Sequence, residues 1–257
     1  MHRKIILMAS QEIGVSVAKY LHKEGLDEIS ALYLSGEDVE LDQRLIQAAA
    51  IAPNRVFSPD CLKDPAHLAW LKAGGCDFVI SIYWPHFIGN DVLDLVGQNS
   101  VNFHPALLPF NRGSFPHLFV LLENSPCGVT LHQVTSKLDA GPIWAQKEVV
   151  ALPEDTGGSL YWRLQKEMLG LFKEKWPEIR MGQIKPVEQD ESKGSSHRAS
   201  EIRKHNVIDL DKTYTGREWI NLLRSRSIGR YGFAYFEEAG KTIYVNLRLG
   251  LDEDFLT

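Results

Sequence analysis

The chain has 257 residues, 44% hydrophobic and 24% charged, which fits one generous globular domain, or one domain with a small appendage, and excludes a disordered chain. Its formal net charge of -5 opposes a large nucleic-acid footprint and favours a small-molecule partner. Cys61, Cys76 and Cys127 show neither a disulfide framework nor metal-ligand spacing, and the apolar run after the basic start ends at Ser10-Gln11-Glu12, so the expectation is a cytoplasmic protein with reduced thiols and no membrane span.

Lys4 to Met8 reads as a buried parallel strand, followed by a helix over Gln11 to Lys23 with Ile13, Val17, Tyr20 and Leu21 at helical spacing and Gly25 as its stop. The intervening turn holds no G-x-G-x-x-G, so a nicotinamide cofactor has no support. The beat continues with a strand at Ile29 to Leu34, a helix at Asp38 to Ala50 and a short strand at Arg55 to Phe57. A helix beginning near Pro65 and ended by Gly74-Gly75 leads to a strand at Asp77 to Ile82. This alternation predicts an α/β fold, an open, mostly parallel sheet with helices on both faces.

After Ile82 comes the aromatic loop Tyr83-Trp84-Pro85-His86-Phe87. Ser100 to His104 follows as a strand ended by Pro105, which has no amide hydrogen to continue a ladder. Strand side chains alternate faces, so Asn102 and His104 point the same way at a strand end, where ligand crevices open in such sheets. Asp139, in the turn Leu138-Asp139-Ala140-Gly141-Pro142, is a carboxylate able to orient the imidazole. On spacing alone the trio stays open between a structural turn and a site.

A helix is expected over Ser114 to Glu123 and a strand over Val129 to Val134; His132 on that strand is read as packing. The loop Thr135 to Asp139 and a strand at Ile143 to Val150 complete a hairpin-like unit with Asp139 at its tip. Thr156 to Trp176 reads as an amphipathic helix closed by Pro177. Residues 186–200 are polar and rich in Gly, Ser and charge, the composition of a linker, which divides the chain into 1–185, a linker and a small 201–257 subdomain. That subdomain reads as a helix around Gly216 to Ser225 and a hairpin of Gly232 to Phe236 with Thr242 to Leu249, too apolar to stand in water alone.

The ordered run Asn102-Phe103-His104-Pro105-Ala106-Leu107-Leu108-Pro109, then Arg112-Gly113, Gly128-Val129-Thr130-Leu131-His132 and Leu138-Asp139-Ala140-Gly141-Pro142-Ile143, closely resembles the formyltransferases that use N10-formyltetrahydrofolate. The likeness is strong over about Asp77 to Val150; it departs at Ala140, where many members have Thr. The resemblance implies a Rossmann-like catalytic domain with Asn102, His104 and Asp139 as its catalytic triad. It also implies a loop at Tyr83, Trp84 and Phe87 enclosing the pterin of the folate co-substrate. Arg112 is a candidate for substrate phosphates.

Formyl transfer to an amine needs stabilisation of a developing oxyanion and removal of a proton from nitrogen, work suited to Asn102 and His104, with Asp139 setting the tautomer and no metal called for. Relatives formylate methionyl-tRNA, glycinamide ribonucleotide or the amino sugar of a nucleotide-linked sugar. Residues 201–257 carry nine Lys or Arg against nine Asp or Glu, no surplus for RNA phosphates, and are short for a five-stranded barrel. The expectation is therefore a homodimeric, cytoplasmic enzyme acting on a nucleotide-linked amino sugar for surface-polysaccharide synthesis. A methionyl-tRNA enzyme, a formyltetrahydrofolate hydrolase and a non-catalytic binder of the same fold stand as alternatives.

Overall fold

The computed structural model describes residues 2–25 and 27–251. Two compact units emerge: the chain up to His104 with Thr130–Ala145 and Met168–Gln189, and Pro105–Val129 with Gln146–Glu167 and the chain from Asp190 on.

The first half of the chain alternates as its hydrophobic pattern dictates: β1 (Arg3–Ala9), α1 (Gln11–Glu24), β2 (Asp27–Leu34), α2 (Val39–Ala49), β3 (Val56–Phe57), α3 (Pro65–Gly74), β4 (Phe78–Ile82), α4 (Asn90–Leu93) and β5 (Ser100–His104). Punctuation is local. Gly25 ends α1 in the left-handed conformation that glycine adopts without a Cβ penalty, and Asp38 and Asp64 cap α2 and α3 by accepting from the backbone of Leu41 and Ala66. After β5 come β6 (Arg112–Gly113), α5 (Pro116–Glu123), β7 (Gly128–His132), β8 (Ile143–Glu148) and the long α6 (Gly157–Arg180).

The strands form a seven-stranded sheet in the order β3-β2-β1-β4-β5-β7-β8. It is parallel through β5, and β7 runs antiparallel to β5. Alternation covers both faces of its first-unit part. Ile6, Met8 and Val79 pack with Leu71 of α3 and Val92 and Leu93 of α4, while Phe78 meets Trp176 and Phe103 meets Phe172, both on α6. The doubly covered α/β sheet expected from the alternation is what forms.

Pro177 does not close α6, which runs on to Arg180. The proline removes one helical N–H, and the Lys173 carbonyl left over accepts from the Tyr20 hydroxyl at 3.4 Å. Beyond it, Arg180 grips buried Asp27 at 2.6 Å, and Trp176 Nε1 donates to the same carboxylate at 2.8 Å. These anchors hold the last turn in place.

The stretch 186–200 makes extended pairings. Val187 exchanges backbone bonds of 2.7 and 2.9 Å with Ile143 in the first unit, while β9 (Ser196–His197) pairs with β6 in the second. Then follow α7 (Ala199–Lys204), α8 (Gly216–Ser225), a small pairing of β10 (Ser227–Ile228) with β11 (Tyr231–Gly232), and the hairpin β12 (Ala234–Glu238) with β13 (Lys241–Val245). The hairpin's second strand ends at Val245, four residues before the expected Leu249. Residues 252–257 of the expected subdomain lie outside the described residues.

Candidate active site

Three neighbouring strands set the site. In β4 and β5 Ser81 is level with Asn102 and Ile82 with Phe103; in β5 and β7 Asn102 faces His132 and His104 faces Thr130. Asn102 and His104 share one face by alternation, and directly opposed residues of an antiparallel pair share a face as well. His132 therefore joins them. Expected to pack, it is buried and also bonds Asn102; the partner strand that decides what its face meets was invisible in sequence.

Asp139 arrives from the turn after β7. Gln133 N–H donates to Pro142 O at 2.8 Å to close the turn, and Asp139 itself adopts φ 49°, a left-handed conformation that side-chain-bearing residues take where surroundings impose it. Gln189 Nε2 donates to both Asp139 O at 2.9 Å and Gly141 O at 2.7 Å. The Ile143–Val187 pairing brings Gln189 there. Nothing local in a polar stretch announced that role.

The side chains meet as an imidazole, a carboxylate and a second imidazole. His104 Nδ1 stands 3.5 Å from Asp139 Oδ2, and His132 Nε2 stands 3.6 Å from Asp139 Oδ1. His104 is 4% exposed and His132 2%. His132 Nδ1 lies 2.7 Å from the Gln133 carbonyl, which only accepts, so the proton sits on Nδ1. The neutral ring then offers its Nε2 lone pair to the Asn102 amide, 3.0 Å away. This contact fixes which end of the carboxamide is nitrogen, and so where the remaining Asn102 N–H can point. His104 turns Nδ1 to Asp139, so a neutral ring protonated on that nitrogen carries its lone pair on Nε2, the arrangement of a base held by a carboxylate.

Tyr83 follows β4 directly, next to the end of β5, also with a left-handed φ of 49°. Trp84 packs against the core of the first unit, yet its buried Nε1–H has no hydrogen-bond partner among the described residues. Phe87 is 73% exposed. Arg112 lies in β6 of the second unit, where its guanidinium pairs with Glu191 at 3.3 Å and its buried Nε has no hydrogen-bond partner among the described residues. A cavity of about 640 Å³ in the first unit is lined by His2, at the start of β1, and Asp27, at the start of β2, the strand ends away from His104; its charged residues Asp27, Glu28 and Arg55 are already paired. Among the described residues no group of three or more His, Cys, Asp or Glu is placed to hold a metal ion.

Residues 4–173 match the formyl transferase family, and the chain belongs to it. Residues 201–251 match the N-formyltransferase dimerization C-terminal domain. Among solved structures, a 4-N formyltransferase from Francisella tularensis is similar with a TM-score of 0.82 at 24% identity, over 97% of this chain and 98% of that one. A sugar N-formyltransferase from a Shewanella species gives 0.77 at 23% identity, over 97% and 98%. The formyltransferase PseJ from Anoxybacillus kamchatkensis, solved in complex with UDP-4,6-dideoxy-4-formamido-L-AltNAc and tetrahydrofolate, gives 0.58 at 27% identity, over 86% and 98%.

Proposed function

We propose that the chain transfers a formyl group from N10-formyltetrahydrofolate to the amine of a nucleotide-linked amino sugar, as a homodimer in the cytoplasm, in a route to surface polysaccharide. The observation that carries the chemistry is the cluster of Asn102, His104 and Asp139 at the end of β5 in a member of the formyl transferase family. Asn102 donates to the formyl oxygen as negative charge develops there, a contribution of roughly 3 kcal/mol by analogy with other oxyanion donors. His104 takes the amine proton, with general-base help of about a hundred- to ten-thousandfold. Asp139 orients His104 and stabilises the imidazolium that forms.

The loop after β4 fits a flat heterocycle: Trp84 Nε1–H is a buried donor in want of an acceptor, Tyr83 is held in a constrained conformation, and Phe87 offers an exposed ring. Arg112 is assigned to substrate phosphates as a cation held at one end by Glu191, with an Nε that has no hydrogen-bond partner among the described residues. Residues 1–185 are taken as catalytic, 186–200 as the connecting segment and 201–257 as the C-terminal subdomain. The sugar assignment draws on the UDP-sugar held by PseJ and on the balanced charge of 201–257. The compartment rests on three free cysteines.

The test is a panel of UDP-, dTDP- and GDP-linked amino sugars incubated with formyltetrahydrofolate and read by mass, alongside methionyl-tRNA and a sample with no acceptor. One nucleotide sugar should gain a single formyl group. Formylation of the tRNA alone, or equal formate release without acceptor, would replace the sugar assignment.

A further inference from the structure

Asp139 occupies a left-handed backbone conformation, φ 49°, which a residue with a side chain keeps only where its surroundings over-determine it. Inside the turn, Gln133 N–H closes the base on Pro142 O at 2.8 Å, whereas Ala140 N–H reaches Lys137 O at a long 3.4 Å. The carbonyls on either side of Ala140 are held from outside the turn by one side chain. Gln189 Nε2 stands 2.9 Å from Asp139 O and 2.7 Å from Gly141 O. Gln189 is placed in turn by Val187, whose backbone exchanges bonds of 2.7 and 2.9 Å with Ile143 at the start of β8; all these residues belong to the first unit.

A carboxamide nitrogen carries two hydrogens, one for each carbonyl. The orientation of the amide follows, because turning it over would set its oxygen against two other acceptors. Gln189 Oε1 is thereby left buried, without a hydrogen-bond partner among the described residues. A buried acceptor in that state costs stability. With one acceptor unsatisfied, the amide holds the backbone of Asp139 at two points.

We propose that Gln189 is a positioning residue for the formyl transfer: by holding the carbonyls of Asp139 and Gly141 it fixes the Asp139 carboxylate against His104, and it does no chemistry itself. Its role rests on the reading of Asp139 as the residue that orients His104. The carboxylate stands 3.5 Å from His104 Nδ1 and 3.6 Å from His132 Nε2, both at the long end of hydrogen-bond distance. A small backward movement of the turn therefore takes it out of reach of the imidazole. A methionine at 189 fills the same length without a hydrogen to donate, and an asparagine is one methylene too short to reach both carbonyls.

The experiment is a double-mutant cycle on the full chain, read without any acceptor by the pH titration of the His104 Cε1–H resonance, well below the Tm of each variant. A carboxylate beside the ring favours the imidazolium, so Asp139→Asn should lower the His104 midpoint by about one pH unit or more, and Gln189→Met should lower it by about half as much. In the Asp139→Asn background Gln189→Met should change nothing further, because the group it positions is gone; a merely structural role would not give this dependence. With the acceptor that the nucleotide-sugar panel yields, Gln189→Met should lower kcat about tenfold and leave KM within about twofold. Should Gln189→Met not fold, Gln189→Asn carries the same cycle with the same signs. A midpoint and kcat that fall in Asp139→Asn but stay at wild type in both folded Gln189 variants overturn the positioning role alone. A wild-type midpoint and kcat in Asp139→Asn itself overturn the reading of the site, and the role of Gln189 with it.

Discussion

At the residue scale the roles of the two site histidines separate by hydrogen-bond inventory. His104 faces Asp139 through Nδ1, whereas His132 has its proton drawn to the Gln133 carbonyl and its lone pair turned to Asn102. His104→Asn and Asp139→Asn should each lower kcat/KM by about a hundredfold or more with an unchanged Tm; near wild-type turnover in either removes that residue from the mechanism. His132→Leu takes away the partner that orients Asn102 and a ring beside Asp139 but leaves His104 its own contact with that carboxylate, so kcat should fall about ten- to a hundredfold while the acidic limb of the pH–rate profile stays where it is. A limb that moves would make His132 the titrating base. His117 supplies a pH effect of different origin. It is neutral in the fold with a pKa near 3 and near 6.5 once unfolded, so the unfolded chain binds the extra proton between those values. Stability is then whole above about pH 6.5 and declines as pH falls toward 3, by up to about 1.4 kcal/mol per unit. Between pH 7.5 and 5 the wild type should lose about 2 kcal/mol more than His117→Asn in denaturant titrations. Equal losses would show that His117 does not stay neutral in the fold.

At the element scale the turn from Leu138 to Pro142 shows what was readable and what was not. Its residues named it: Asp139 before a Gly-Pro pair, between two strand-like runs, is a turn on local chemistry alone. The strand end at Pro105 and the shared face of Asn102 and His104 were equally legible, because both follow from period-two geometry and a missing amide hydrogen. What the sequence left dark is long-range. The pairing of Asn102 with His132 joins residues 30 apart, and Gln189 reaches the turn from 50 residues away. No local pattern encodes either. Pro177 misled for the converse reason, since its local rule was outweighed by Trp176 and Arg180 bonding to Asp27. The turn also makes a prediction. A Cβ on Gly141 would stand 1.9 Å from Gln133 O, a backbone atom with no side-chain freedom to yield. Gly141→Ala should therefore shift the turn that presents Asp139, costing about 1–3 kcal/mol of stability and a larger share of kcat than of substrate affinity. An alanine variant with wild-type Tm and kcat would mean that the turn relaxes without moving Asp139.

At the scale of the whole molecule the apolar hairpin poses the question of what covers it. One face is answered within the second unit: Ala234, Phe236, Val245 and Leu247 pack with Ile208, Leu222 and Leu223. The other is not. Tyr235 and Tyr244 stack across the strands at 5.5 Å, Tyr244 is 65% exposed, and Phe233 and Tyr231 are exposed as well. Exposed aromatic surface of this kind marks an interaction site, and the segment matches an N-formyltransferase dimerization domain. A twofold axis through the hairpin would set Tyr244 and Tyr235 of one chain against the same patch of the second, with no further partner required. The two faces predict different outcomes for two lesions. Tyr244→Asp places charge on the open face alone, so light scattering should give a folded monomer. Deleting residues 227–257 strips the packed face from Leu222 and Leu223 as well, and should give aggregate. A wild-type protein that is monomeric at tens of micromolar, a range that populates an ordinary obligate interface, would leave the exposed face without a second copy and end the dimer proposal.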